Sequence, residues 1–135
     1  MLKNNSMKYY ALSLLIAAIL FAAACGKEGV KSGNASLTGK WKLVQSLLDP
    51  GDGSGKWLPV TTSTELQLNA NGTTSGTTFP TYVSYIVKDS VTLTFSQADK
   101  TIQNYRYKIS HDTLTMSPDG PNRCIEACGI RFKKE

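Results

Sequence analysis

The chain has 135 residues, a formal net charge of +5 and 41% hydrophobic residues. It is long enough for one domain with its own core and too short for two comfortable ones. Its basic residues are scattered apart from Arg131, Lys133 and Lys134, and this distribution argues against nucleic acid as a partner.

Residues 1–24 have the layout of an export signal. Lys3 and Lys8 precede an uncharged apolar run, residues 11–24, and Cys25 follows directly. As a helix the run would cover about 21 Å, short of the ~30 Å hydrocarbon core of a bilayer, so a permanent membrane span is a poor interpretation. We therefore expect residues 1–24 to be removed, which lowers the net charge to +3.

The junction at Cys25 resembles the lipobox of bacterial lipoproteins. Small residues precede the cysteine, although Ala22 stands where the pattern more often has Leu. We expect Cys25 to carry the lipid, residues 25–36 to form a lipidated tether, and the protein to be anchored in the cell envelope, on the periplasmic face or the outer surface of the outer membrane. The alternative is ordinary cleavage, which leaves Cys25 a free thiol.

Lipidation of Cys25 leaves two of the three cysteines, Cys124 and Cys128, which we expect to form a disulfide in an oxidising compartment. The alternative of a redox pair is disfavoured because thioredoxin-like motifs have two intervening residues, whereas three stand here. A metal site is not expected, since two thiolates need further ligands and His111 is the only histidine.

Residues 37–135 alternate apolar and polar side chains at period two, with little sign of the helical period. This pattern predicts an all-β fold: an up-and-down antiparallel β-barrel of about eight strands, with an open β-sandwich as the alternative. Residues 48–59 are irregular and are predicted to form a long loop, in which Trp57 either covers the barrel mouth or anchors the loop. In chain order, the pattern places strands around Trp41 and Leu43, at 65–69, 82–87, 91–95, 102–109 and 113–116, and around Ile130 and Phe132. A hairpin turn is predicted at Asn71-Gly72, and further turns are predicted at 88–90, 97–100 and 111–112.

Two segments resemble lipocalins. Residues 37–44, LTGKWKLV, are similar to the Gly-x-Trp start of that family, in which the Trp closes the barrel floor. Residues 124–133, CIEACGIRFK, resemble the C-terminus of small lipocalin-like lipoproteins of Bacteroidetes. The resemblance implies a barrel that binds a small apolar or amphipathic ligand, although the chain is shorter than a typical lipocalin.

Aromatic and apolar residues on the predicted strands are the candidate ligand-binding residues, because tyrosines combine an apolar body with a polar tip. The alternative is that they only fill the interior, which would leave a filled barrel that contacts another envelope or host protein. The candidates are Trp41, Leu43, Tyr82, Tyr85, Phe95, Tyr105 and Tyr107.

Enzymatic activity and a cofactor are not expected. His111 lies in a predicted turn, and no serine or cysteine nucleophile has a recognisable setting. We expect a monomer whose contacts are the membrane, through the lipid on Cys25, and possible small hydrophobic ligands. The carboxylates that could serve a glycosidase fall at predicted turns or on the outer face: Glu65, Asp89, Asp112 and Asp119.

Overall fold

The structure is a computed structural model that describes residues 36–135. The predicted signal (1–24), the lipidation site Cys25 and the tether up to residue 35 lie outside the described residues. Across residues 36–135, no helix is long and apolar enough to cross a bilayer.

The described residues form nine β-strands and no helix, which confirms the all-β prediction. Alternation explains the strands: in the eighth, Leu114 and Met116 are fully buried, whereas Thr113 and Thr115 between them are partly exposed. The strands are β1 (Gly39–Leu48), β2 (Lys56–Pro59), β3 (Glu65–Leu68), β4 (Thr74–Ser75), β5 (Tyr82–Val87), β6 (Thr92–Gln97), β7 (Ile102–Ser110), β8 (Thr113–Pro118) and β9 (Cys128–Lys134).

Eight of these strands follow one antiparallel path, β4-β3-β1-β9-β8-β7-β6-β5, and β2 pairs with β1 beside it. The sheet curls until β4 meets β5, where a single bridge joins Thr73 to Ser84 and the amide of Tyr85 donates to the carbonyl of Gly72 at 2.8 Å. The chain therefore forms the predicted barrel, nearly closed, with one unsealed seam between β4 and β5.

Two of the predicted turns sit at barrel ends as expected. Gly72 has a φ of +82°, which glycine tolerates, and its amide donates to the carbonyl of Asn69 at 3.0 Å. His111 and Asp112 form a two-residue connection between β7 and β8, with His111 at a φ of +53°.

The predicted loop at residues 48–59 was wrong at both ends. Leu48 ends β1, and β2 pairs with β1 through Leu47 opposite Trp57 and Leu48 opposite Lys56. The cause is a distant contact: a Cβ at position 129 would lie 3.0 Å from the Trp57 ring, and the Arg131 guanidinium carbon lies 3.7 Å from the ring centroid on the sheet's outer side. Trp57 thus anchors β2, and only residues 49–55 remain a loop.

The strand predicted at 91–95 begins one residue later in the structure. β6 begins at Thr92, and Val91 is 49% exposed. Its carbonyl still accepts the amide of Tyr107 at 2.7 Å, so the backbone is paired while the side chain points past the end of the core. A period-two pattern gives the facing of a residue and cannot give the point at which the core ends.

Trp41 is the largest fully buried side chain of the core. Its indole Nε1 donates to the carbonyl of Leu37 at 2.8 Å, and the ammonium of Lys134 lies 4.4 Å from its ring centroid. The other fully buried large side chains are Phe95, Phe132, Leu66, Leu68, Leu93, Leu114 and Met116.

Replacing Trp41 with Ala should lower the free energy of unfolding by about 3 to 5 kcal/mol, because the change leaves a cavity and an unpaired Leu37 carbonyl. Chemical denaturation measures the loss. Leu48→Ala, at a side chain that is 77% exposed, is the control and should change the value by less than about 0.5 kcal/mol. Equal curves for Trp41→Ala and the unmodified protein would contradict the assignment of Trp41 to the core.

Candidate ligand-binding site

The two ends of the barrel differ in their packing. We call the end where β1 begins and β9 ends the floor, and the end where β1 ends and β9 begins the mouth. Trp41 pairs with Lys134 near the floor, whereas Leu48 pairs with Cys128 at the mouth.

The floor is closed by Lys134 and the segment that leads into β1. The Lys134 ammonium donates to the carbonyls of Ser36, at 2.8 Å, and Thr38, and it covers the Trp41 ring. Burial lowers the pKa of Lys134. One ammonium thus makes two hydrogen bonds and a cation–π contact at the floor, where Trp41 is fully buried.

The mouth holds a pocket of about 380 Å³ that is partly open to solvent. No lining residue carries a charge, and the polar side-chain groups are the Ser46 hydroxyl, the Tyr105 phenol and the disulfide sulfur of Cys128. A pocket of this composition suits an apolar group. The lining residues are Ser46, Leu47, Leu48, Phe79, Tyr105, Pro118, Cys128, Gly129 and Ile130.

A cluster of aromatic rings fills the interior beside the pocket. Phe79 lies 5.5 Å from Tyr82, 5.6 Å from Phe95 and 5.3 Å from Tyr105, measured between ring centroids. Phe95 and Tyr105 meet edge to face at 5.6 Å, which is a favourable arrangement for two rings. Phe79 and Tyr105 therefore belong both to this cluster and to the pocket wall.

The phenol of Tyr105 stays protonated across the physiological range. Burial raises its pKa, and the neighbouring Tyr82 raises it further. A protonated phenol at the pocket wall can donate a hydrogen bond to a polar atom of a bound molecule.

The structure brings only one of the seven candidate residues, Tyr105, to the pocket wall. Tyr82 and Phe95 stand in the aromatic cluster, and the Tyr85 hydroxyl donates to the carbonyl of Asn69 at 2.9 Å. Trp41 closes the floor. The two remaining candidates, Leu43 and Tyr107, are partly buried against the core.

Sequence reasoning missed most of the wall. Phe79 lies in the connection between β4 and β5, where no strand periodicity marks it as interior. Leu48 falls within the segment 48–59 that the sequence predicts as a loop, and Leu47 directly precedes it. The repeated Leu-Leu before Asp49-Pro50-Gly51 was the one available signal, because an apolar pair directly before a turn is suited to a barrel rim.

Two loops form the rim beside the pocket, residues 49–55 and 119–127. The disulfide predicted between Cys124 and Cys128 is formed, with 6.1 Å between the Cα atoms. The amide of Asp49 donates to the carbonyl of Ala127 at 3.0 Å and so ties the two loops together. Cys128 lines the pocket, which makes this bridge part of the site.

The carboxylate of Asp49 holds the first rim loop in shape. Its oxygens accept the amides of Gly51 at 2.9 Å, Gly53 at 3.2 Å and Gly55 at 3.2 Å. These hydrogen bonds lower the pKa of Asp49, and the bond from the Gly51 amide contributes most to this shift. The loop therefore carries a fixed negative charge at neutral pH.

None of the polar residues considered for catalysis lines the pocket. Lys133 pairs with Asp112 at 2.6 Å and Lys40 pairs with Glu65 at 2.8 Å, both toward the floor. Asp89 accepts the amide of Val91, Asp119 lies 3.7 Å from the guanidinium groups of Arg106 and Arg123, and His111 is in the β7–β8 turn. Among residues 36–135, no three His, Cys, Asp or Glu side chains are grouped to hold a metal.

Comparisons with protein-family models, with curated proteins and with solved structures find no match for this chain. The lipocalin resemblance therefore remains a prediction from residues 37–44 and 124–133.

The two cysteines of the rim should not react with a thiol reagent in the folded, unreduced protein and should both react after reduction. Because the loop they close has about five residues, the paired Cys124→Ala and Cys128→Ala changes should lower stability by roughly 2 kcal/mol. Both experiments use the Cys25→Ser protein. Mass spectrometry after labelling measures the thiol reactivity, and chemical denaturation measures the loss of stability. Labelling without reduction would contradict the bridge.

Proposed function

We propose that this protein is a membrane-anchored lipoprotein whose barrel binds a small apolar or amphipathic molecule in the mouth pocket, without catalysis. The observation that carries the proposal is the uncharged pocket of about 380 Å³ at the open end of the barrel. Pockets that hold small ligands have volumes of about 300 to 1,000 Å³ and are lined mainly by apolar and aromatic side chains.

The size of the pocket limits the ligand. At about 30 Å³ for each water-sized group, the volume accommodates about a dozen non-hydrogen atoms. One alkyl chain or a small ring system fits, and a lipid with two long chains does not. The Tyr105 phenol and the Ser46 hydroxyl offer a donor and an acceptor to one polar atom of the ligand.

A filled-barrel interaction protein is the second candidate function. Below the pocket the interior is packed, with Trp41, Phe95 and Phe132 fully buried. At the mouth, Leu48 is 77% and Ile125 is 98% exposed, and exposed apolar side chains at one end of a barrel favour contact with another surface. A partner protein would then cover the rim.

Replacing Ile130 with Phe should weaken binding of an apolar fluorescent probe about tenfold or more, because the larger side chain occupies the pocket. Ile102→Phe, the same change at a residue that is 46% exposed and outside the pocket, is the matched control and should leave affinity unchanged. Probe titration measures both affinities.

A second blocking variant, Ser46→Leu, covers the case in which Ile130→Phe disturbs packing, and melting curves report the packing directly. Unchanged probe affinity in both folded variants would contradict the mouth pocket as the binding site. Native mass spectrometry of protein purified from its own envelope would then show whether a small molecule accompanies it.

Anchoring depends on Cys25. Cys25→Ser should move the protein from the membrane to the soluble fraction, since several acyl chains, each methylene contributing about 0.8 kcal/mol, are lost. Fractionation of cells followed by immunoblotting measures the shift. The paired Cys124→Ser and Cys128→Ser changes are the control and should leave the protein with the membrane; retention of Cys25→Ser there would contradict lipidation.

A further inference from the structure

We propose that the mouth pocket selects amphiphiles with a cationic head group, the apolar part lying in the pocket and the head at the rim, on the side of Asp49, Asp52 and Glu126. This inference rests on the proposed function and deepens it. Two observations carry it: an uncharged apolar pocket, and an excess of negative charge on the two loops that border its opening.

The negative charges stand directly beside the pocket wall. Asp49 follows Leu48, and Glu126 stands two residues before Cys128; both Leu48 and Cys128 line the pocket. The loops also meet, because a Cβ at Gly51 would lie 3.8 Å from a carboxylate oxygen of Glu126. Asp49, Asp52 and Glu126 thus share one side of the mouth.

Few positive charges offset them there. Lys56, at the start of β2, is opposite Leu48 in the ladder and is the basic residue of this side. At the start of the second loop, the Asp119 carboxylate lies 3.7 Å from the guanidinium groups of both Arg106 and Arg123, so one positive charge remains there. Arg131 lies over the Trp57 ring on the outer face of the sheet. Among residues 36–135, the three carboxylates of Asp49, Asp52 and Glu126 therefore stand against the Lys56 ammonium on one side of the rim, while the surplus guanidinium lies at the start of the second loop.

This arrangement discriminates by the sign of the ligand charge. An amphiphile whose chain fills the pocket must place its head where the chain leaves the protein, at the rim. A carboxylate head would be repelled by Asp52 and Glu126, whereas an ammonium head would be attracted, with each charge at about 8 Å changing affinity about two- to fivefold at low salt. A neutral head would lie between the two.

Three probes with the same ten-carbon chain test the inference: decyltrimethylammonium, decanol and decanoate. Their affinities are measured by displacement of an apolar fluorescent probe from the exported Cys25→Ser protein at low salt. The expected order is ammonium, then alcohol, then carboxylate, with the spread shrinking as salt is added. Equal affinities, or tightest binding of decanoate, would overturn the inference and leave the proposed function supported. Binding of none of the three would overturn both.

Charge variants locate the effect. Glu126→Gln and Asp52→Asn should each weaken the ammonium probe about two- to fivefold and leave decanol unchanged, since Asn retains the oxygen that accepts the Ser54 amide. Glu135→Gln removes the same charge at the floor end, where Glu135 pairs with Lys40, and is the matched control. Equal effects of Glu126→Gln and Glu135→Gln would overturn the placement of the head at the rim. Asp49 is not substituted in this test, because its carboxylate accepts the backbone amides that keep the loop of residues 49–55 in shape.

Discussion

The pairing of the first strand with the last determines both ends of this barrel. β1 and β9 run side by side from Trp41 opposite Lys134 to Leu48 opposite Cys128, with one irregularity between Leu43 and Gln45. The β1–β9 pairing places Lys134 over the Trp41 ring at the floor. At the mouth, the same pairing brings the loop closed by the disulfide to the end of β1. These contacts join residues more than seventy positions apart, and the entropy lost in closing such a loop grows only slowly with its length.

The barrel interior is divided by where the aromatic side chains meet. Toward the floor, Trp41 and Phe132 are fully buried, and Phe95, also fully buried, packs against Phe79 and Tyr105. Beyond that cluster the wall is made of Leu47, Leu48 and Ile130, which leave space at the mouth. The core that stabilises the barrel therefore also forms the base of the pocket, and the depth of the pocket is set by how far the rings extend.

The alternation of side chains was enough to predict seven of the nine strands of residues 36–135, all except β2 and β4, because each of those strands has one buried and one exposed face. It could not predict β2, whose place depends on the Trp57 ring finding room against Gly129 and beneath Arg131, seventy residues further along the chain. It also gave seven candidate ligand-binding residues, of which the structure brings only Tyr105 to the pocket wall. The side of the sheet on which a side chain lies is a local property that can be read from the alternation. The volume of a pocket, in contrast, depends on how side chains from different strands pack against one another.

For the amphiphile binding that we propose, the preferred head-group charge can change most easily at the rim, for a physical reason. Residues 49–55 hold their shape through the carboxylate of Asp49, and residues 124–128 are bridged by the disulfide. Exposed positions on these loops, such as Asp52, Glu126 and Ile125, can be substituted without creating a cavity in the core of the barrel. Because the head of an amphiphile would lie there, the charge of the ligand is set by residues that contribute little to folding, while its apolar part is set by residues that the fold requires.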